Sequence, residues 1–428
     1  MVTGLVCAVC ATTVPISQAL SWKCPRATET DTHHVLHFEN TVEPFRPTDD
    51  ENPYLAFRKY LAVDSFGAAI GLSEDDRIRI ITEANAAVAA VAGRGFLRTP
   101  LYRSVELSDA LGFTAKGGVW IKDETHNVAG SHKARHLFTE LLHLLFAETA
   151  GVAPWTSSTR PPLAIASCGN AAIAASTLAA AVQWPIYVHV PPAATSEVLV
   201  ALASLDADVR VCPRLPDDAA GDPCVLRFRE AVAVGAIAFG VQGTENAWCL
   251  DGGRTIGWEM TEDLGHLMDR IFIQVGGGAF AACVGASLRS AGVHPKLHAV
   301  QTEGCAPLAR AWEKAHLTGG ARNAGPRWNE CMWPWETTPV SIADGILDDE
   351  TYDWIGVLDS MADTGGAPVV VSEQHVMQAY EWAHSLTSVN VSATGVAGLA
   401  GLIAMRSDIA NDERVVVVMS GVERVEAN

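Results

Sequence analysis

From about residue 118 onward, short unbroken apolar runs alternate with longer stretches whose apolar residues recur at helical spacing. The runs GVWIK (118–122), LAIAS (163–167), IYVHVP (186–191), VRVC (209–212), AIAFG (236–240), IFIQV (271–275), LHAVQ (297–301), VVVS (369–372) and RVVVVMS (414–420) predict strands. Between them, AAIAASTLAAAVQ, SEVLVALASL, AFAACVGASLRSAG, APLARAWEKA, EQHVMQAYEWAHSL and GVAGLAGLIAM predict helices. Continuous apolar strands separated by helices point to parallel sheets covered on both faces, so the predicted fold class is α/β. No internal repeat is visible. VAPWTSSTRPP and LTGGARNAGPRWNECMWPWETTP read as loops. The second is long enough to form a substrate-side element, with Trp333 and Trp335 expected to cap a site or to pack a subunit interface.

Upstream, the polar, proline-bearing FENTVEPFRPTDDENP reads as a linker behind an N-terminal segment that is itself apolar. That segment has no Lys or Arg ahead of its apolar part, which argues against a signal peptide. No run reaches the roughly 18–20 apolar residues of a membrane span. At 428 residues, with 49% hydrophobic and 18% charged, the chain has ample core for two lobes. Thirty Lys+Arg against 49 Asp+Glu give a net charge of −19, which repels nucleic acid and anionic membrane surfaces alike.

The ten cysteines are scattered, as suits reduced thiols in a cytoplasmic enzyme. Cys7 and Cys10 form a C-x-x-C, and Cys24 follows, but a second C-x-x-C would need a cysteine at Ala27. Three thiolates do not close a zinc tetrahedron, although His33 or His34 would supply a fourth ligand. The segment is taken as a ribbon that no longer holds metal, and no metal is assigned.

Ligands of open α/β sheets bind beyond the carboxyl ends of strands. Here LAIAS runs into CGN, IFIQV into GGGA and RVVVVM into SGVE. Gly276, Gly277 and Gly278 between a strand and a helix allow close backbone approach, with free N–H groups turned to an anion. The spacing is neither G-x-x-x-x-G-K-[ST] nor G-x-G-x-x-G, so nucleotide binding is poorly supported. Lys133 stands behind Gly-Ser-His at the mouth of a helix in NVAGSHKARH, a setting that suits an amine prepared to attack a carbonyl.

Together RTPL (98–101), IKDE (121–124), GSHK (130–133), SCGN (167–170), GGGA (276–279), EGCAPL (303–308) and SG (420–421) resemble fold type II pyridoxal phosphate enzymes. That group includes threonine synthase, the serine and threonine dehydratases and the tryptophan synthase β chain. The resemblance spans roughly residues 95 to 421, with the motifs in the family's order. It implies a two-lobed enzyme whose cofactor is pyridoxal 5'-phosphate. Residues 1–45 would be the cysteine-bearing segment, 46–133 with 236–428 the large cofactor-binding domain, and 134–235 a small mobile domain. A homodimer is also implied.

The resemblance makes Lys133 the Schiff-base lysine and α-proton acid/base. Asn170 would hydrogen-bond the cofactor's ring hydroxyl, and Gly276, Gly277, Gly278 and Ala279 would cradle its phosphate, with His132 adding a contact. Ser167 and the backbone N–H groups of Cys168, Gly169, Asn170 and Ala171 would hold the substrate carboxylate. Ser420 would face the pyridine nitrogen. A hydroxyl there makes the ring a weaker electron sink than a carboxylate would, which disfavours transamination and favours loss of a leaving group at Cβ. Glu423, in a reshaped loop, would bring a carboxylate instead.

The motifs are mixed between family members. DGGRTIGWEM and VQTEGCAPLARA look like threonine synthase, whereas GFLRTPL and SIADGI look dehydratase-like. The first expectation is β-elimination or β-replacement on a small L-amino acid such as serine or threonine, through an aminoacrylate-type intermediate. The alternatives are threonine synthase acting on O-phosphohomoserine, which needs a further phosphate site such as Arg135 or Arg160 would provide, and a cofactor-holding protein without catalysis. Cys168 is expected to be a packing residue, His126 and His136 to lie on loop and helix surfaces, and the acidic runs DD and EDD to be solvated.

Overall fold

In the computed structural model, which describes residues 1–424 apart from Glu29, Val42, Ala220 and Asn323, the strands form three sheets. β1 (Val2–Cys7), β2 (Thr13–Pro15) and β3 (Leu36–Asn40) make an antiparallel sheet in the order β2-β1-β3. β4 (Leu101–Ser104) and β5 (Gly118–Asp123) belong to a larger sheet completed late in the chain. β6 (Leu163–Ala166), β7 (Ile186–Val190), β8 (Asp208–Val211) and β9 (Ile237–Ala238) form a separate parallel sheet in the order β8-β7-β6-β9. β10 (Arg270–Gln274), β11 (Lys296–Thr302), β12 (Ala367–Val371) and β13 (Arg414–Met419) complete the six-stranded sheet β12-β11-β10-β13-β5-β4.

The valine run of β13 has no polar face to offer water, and it lies in the sheet interior between β10 and β5, buried from Val415 to Met419. β4 departs from the parallel pattern. It pairs antiparallel with β5 at the sheet edge, where its Tyr102 faces outward. β9 is shorter than AIAFG predicts because only Ile237 and Ala238 find partners, opposite Leu163 and Ala164.

The helix Lys133–Thr149 is central rather than peripheral. Nearly every residue from Ala134 to Ala147 is buried, and each fully buried Leu or Phe contributes about 1.5–3 kcal/mol. His136 therefore lies in the core and not on the helix surface expected for it. It is 1% exposed, with Nδ1 2.8 Å from the Cys249 carbonyl. His126 is exposed, as expected of a loop residue. All ten cysteines are free thiols. Among the described residues, no helix is long and apolar enough to cross a membrane.

Candidate active site

Lys133 opens its helix after a turn in which Ala129 and Gly130 take φ of 56° and 73°. A Cβ at Gly130 would lie 2.4 Å from Val422 Cγ1, so the turn needs glycine for conformation and for space. The Val422 N–H donates to the Gly130 carbonyl at 2.9 Å, tying the turn to the chain leaving β13. One residue from the lysine, the His132 N–H donates to Ser420 Oγ at 3.1 Å, and its Nδ1 lies 2.6 Å from the same oxygen. The imidazole stacks on Phe280, in the first turn of the helix Ala279–Ser290, with ring centroids 3.9 Å apart. Burial, then the charge of Lys133 and the nearby His136, push the His132 pKa well below its ordinary value, so this ring is neutral.

Lys133 is partly buried. Desolvation lowers its pKa, and the carboxyls of Asp348 and Asp353, with Cys249, oppose that shift. Asp348 also faces the glycine turn after β10. A Cβ at Gly276 would lie 2.3 Å from its Oδ2. Burial raises the Asp348 pKa to about 6 against the pull of Lys133. Gly278, at φ 94°, starts the helix Ala279–Ser290. Asp353 is fully buried. Its Oδ2 accepts from the Gly243 N–H at 3.1 Å, its Oδ1 has no partner, and burial raises its pKa to about 7.

Ser167 follows β6, and the helix Asn170–Ala181 begins two residues after Cys168. The Gly169 N–H donates to Ser167 Oγ at 3.3 Å, which curls the loop onto itself. A Cβ at Gly169 would meet no atom within 4 Å, so the loop borders open space. Cys168 is exposed, contrary to the packing role expected for it, because nothing covers the loop on that side. Asn170 Nδ2 sits 3.1 Å from the Cβ position of Gly421, joining the β6 loop to the end of β13. Ser392 Oγ is 3.2 Å from the same point, in the segment that the bridge Val391–Val422 holds against the chain terminus. The Glu423 backbone is bonded to Asn390, and its carboxylate Oε2 is buried without a hydrogen-bond partner.

Behind the lysine lies a buried charge network. Lys122 Nζ is 2.5 Å from Glu259 Oε2, and Arg135 binds the other oxygen of Glu259. Arg135 also reaches Asn127 Oδ1 (2.8 Å), Thr255 Oγ1 (3.0 Å) and the Leu97 carbonyl (3.0 Å). Arg160 is held by both oxygens of Glu148 and by the Val182 carbonyl. Arg135 thus commits four of its five N–H donors and Arg160 three of its five to protein partners. Trp333 and Trp335 stack on Arg310, with its guanidinium carbon 4.0 and 5.2 Å from their ring centroids.

Sequence reasoning missed Asp348 and Asp353. The run DD at 348–349 reads as solvated, yet Asp348 is half-buried against the glycine turn. The available signal was a hydrophobic Ile-Leu before the acids and Tyr352 and Trp354 after them. A cavity of about 690 Å³ bordered by His37, Phe38, Arg254, Cys283 and Arg289 touches none of Lys133, Asn170 or Gly276. The candidate site is the convergence of the three strand ends, and this void lies apart from it.

No curated protein matches the sequence. Among solved structures, maize serine racemase is similar over 82% of this chain and 94% of its own, at 18% identity and a TM-score of 0.61. Threonine deaminase isoform 2 from Solanum lycopersicum covers 83% and 87% at 18% identity and a TM-score of 0.60. A fungal L-serine ammonia-lyase from Rhizomucor miehei covers 76% and 94% at 18% identity and a TM-score of 0.58. These likenesses show the fold. The profile of the family described as "Pyridoxal-phosphate dependent enzyme" matches residues 93–421, from just before the RTPL motif through the Ser-Gly after β13, and the chain is a member of that family.

Proposed function

We propose that the protein is a cytoplasmic lyase that carries out β-elimination or β-replacement on a small L-amino acid of the serine or threonine type. The residues present suit the family's cofactor. An amine with a lowered pKa stands beside a glycine turn that opens the helix Ala279–Ser290, where Gly278 takes φ 94°. When bound, pyridoxal phosphate supplies a conjugated ring that accepts the electron pair left at Cα when its proton departs. Gly276, Gly277, Gly278 and Ala279 would hold the phosphate, with His132 beside them as a neutral donor. Asn170 would hold the ring hydroxyl, and Lys133 would carry the cofactor and move the α-proton. Asn170 and Ala171, at the first turn of their helix, together with Ser167, Cys168 and Gly169, would bind the substrate carboxylate through N–H and hydroxyl donors.

The observation that carries the choice of reaction is the neutral Ser420–His132 pair at the end of β13. No carboxylate stands in that pair. A neutral partner for the ring nitrogen favours prompt loss of a β-substituent over a long-lived carbanion. The sheet β6–β9 and its helices would act as the small mobile lobe, shutting water out as it closes on the substrate.

The test mixes purified holoprotein with L-serine, L-threonine or O-phosphohomoserine and follows the cofactor absorbance together with 2-oxo acid release. Serine or threonine should shift the band and yield the oxo acid, and Lys133→Ala should abolish both along with borohydride-reducible cofactor. If none of the three substrates shifts the band, the substrate class is wrong. Threonine formed from O-phosphohomoserine would install threonine synthase in its place.

A further inference from the structure

The N-terminal sheet brings together four side chains that the catalytic site does not use. Cys7 ends β1, Cys10 sits in the turn toward β2, Cys24 follows in the next loop and His34 precedes β3. The antiparallel pairing sets Cys7 opposite Leu36 and Val6 opposite Thr13, so residues far apart in sequence reach the same end of the sheet. Cys7 Sγ lies 3.3 Å from His34 Nδ1, and Cys10 Sγ lies 3.6 Å from Cys24 Sγ. All four ligand atoms lie within 4.8 Å of one another.

Those separations fit an ion at the centre. A tetrahedral zinc with Zn–S of about 2.3 Å and Zn–N of about 2.0 Å places ligand atoms about 3.5–3.8 Å apart. A disulfide would bring two sulfurs to about 2.05 Å, and the cysteines here are free. Cys7, Cys24 and His34 are buried, and Cys10 is partly so, which screens the cluster from water.

The surroundings are those of an oriented ligand set. His34 turns Nδ1 to Cys7, and its Nε2 lies 3.4 Å from Asp31 Oδ2, the carboxylate that fixes a metal-binding imidazole from behind. The Arg26 N–H donates to Cys24 Sγ at 3.4 Å, a contact that steadies a thiolate. His33 is engaged elsewhere. It stacks on Trp328 with centroids 5.0 Å apart, and its Nδ1 lies 2.9 Å from Asn329 Oδ1.

We propose that Cys7, Cys10, Cys24 and His34 bind one zinc ion in a closed, four-coordinate structural site. Three thiolates and a neutral imidazole leave no open position for substrate, so the ion braces rather than catalyses. The loop it ties down bears on the enzyme core. The Trp22 carbonyl accepts from the Ala247 N–H at 2.9 Å, the Ser21 carbonyl from Trp248 Nε1 at 3.2 Å, and the Leu20 N–H donates to His143 Nε2 at 3.1 Å. Trp248 directly precedes Cys249, whose carbonyl lies 2.8 Å from Nδ1 of His136 on the Lys133 helix.

The test measures metal in the full-length holoprotein, purified under reducing conditions, by plasma mass spectrometry. It should hold about one zinc per chain, released by a thiol-reactive mercurial with a zinc-sensitive dye as reporter. His34→Ala and Cys10→Ser should lower the zinc content about tenfold or more, whereas His33→Ala should leave it unchanged. If those variants do not fold, cobalt(II) exchanged into the wild type decides. Tetrahedral d–d bands with a thiolate charge-transfer band support the site, and an octahedral spectrum overturns it. Wild type that neither carries nor takes up zinc chloride after reduction overturns it too, as does iron in place of zinc, or equal loss in His33→Ala and His34→Ala.

Discussion

Glu259→Gln would test whether the first turn of the Lys133 helix depends on buried charge. Glu259 is 1% exposed and bridges two cations, with Lys122 Nζ 2.5 Å away and Arg135 on the other oxygen. It also accepts from the Thr99 N–H (3.1 Å) and hydroxyl (3.0 Å). At an effective dielectric of about 20, each close ion pair is worth about 4 kcal/mol of gross attraction, most of it offset by desolvation. Glutamine can accept from one cation but turns an amide N–H₂ toward the other. The variant should lose about 3–5 kcal/mol, because two cations are left under-compensated where water cannot reach them. Against a total of about 5–15 kcal/mol, that is a large fraction.

The assay is guanidinium unfolding followed by tryptophan fluorescence at pH 7.5, with Lys122→Met and the double variant Lys122→Met/Glu259→Gln alongside. The double variant should recover at least half of the single-variant loss, since removing both partners of a buried pair costs less than stranding one. The pH dependence adds a sign. Burial alone would raise the Glu259 pKa, but Arg135 and Lys122 outweigh it and hold it at about 2. Its contribution is therefore present above the unfolded value near 4.5 and lost as pH falls toward about 2, so the deficit of Glu259→Gln should shrink in acid. A Glu259→Gln loss below about 1 kcal/mol, or a double variant whose loss equals the sum of the singles, would refute the reasoning.

Two further predictions stand beside the substrate and zinc tests. Asp353 has a folded pKa raised from 3.8 to about 7 by burial, so its stabilising protonation is lost as pH rises through about 7, at a cost near 4 kcal/mol. Asp353→Asn keeps an acceptor for Gly243 and should gain on wild type from about pH 4 to about pH 7 and level off above that in denaturant melts. A pH-independent difference would contradict the assigned burial. Gly169→Ala adds a methyl where no atom lies within 4 Å, so melting should hold within about 0.5 kcal/mol of wild type. The added methyl should nevertheless raise the KM for amino acid several-fold, and an unchanged KM would remove the β6 loop from substrate binding.

The period of the apolar residues was enough to specify the class, the parallel strands and the three strand ends that face the site, because continuous Val, Ile and Ala runs have no other way to escape water. Glycine at 130 and 278 was equally readable, since positive φ and close backbone approach leave few other residues that fit. What only the tertiary structure decided depends on neighbours that are distant in the chain. His136 sits in the core because Cys249 and Phe280 enclose it. Arg135 serves Glu259, 124 residues away, instead of a ligand. Asp348 leaves solvent because the chain after Ile346 folds over Gly276. The choice between His33 and His34 was likewise undecidable from spacing. Strand register turns one imidazole toward Cys7 and the other toward Trp328, and register is a property of pairing between segments rather than of either segment alone.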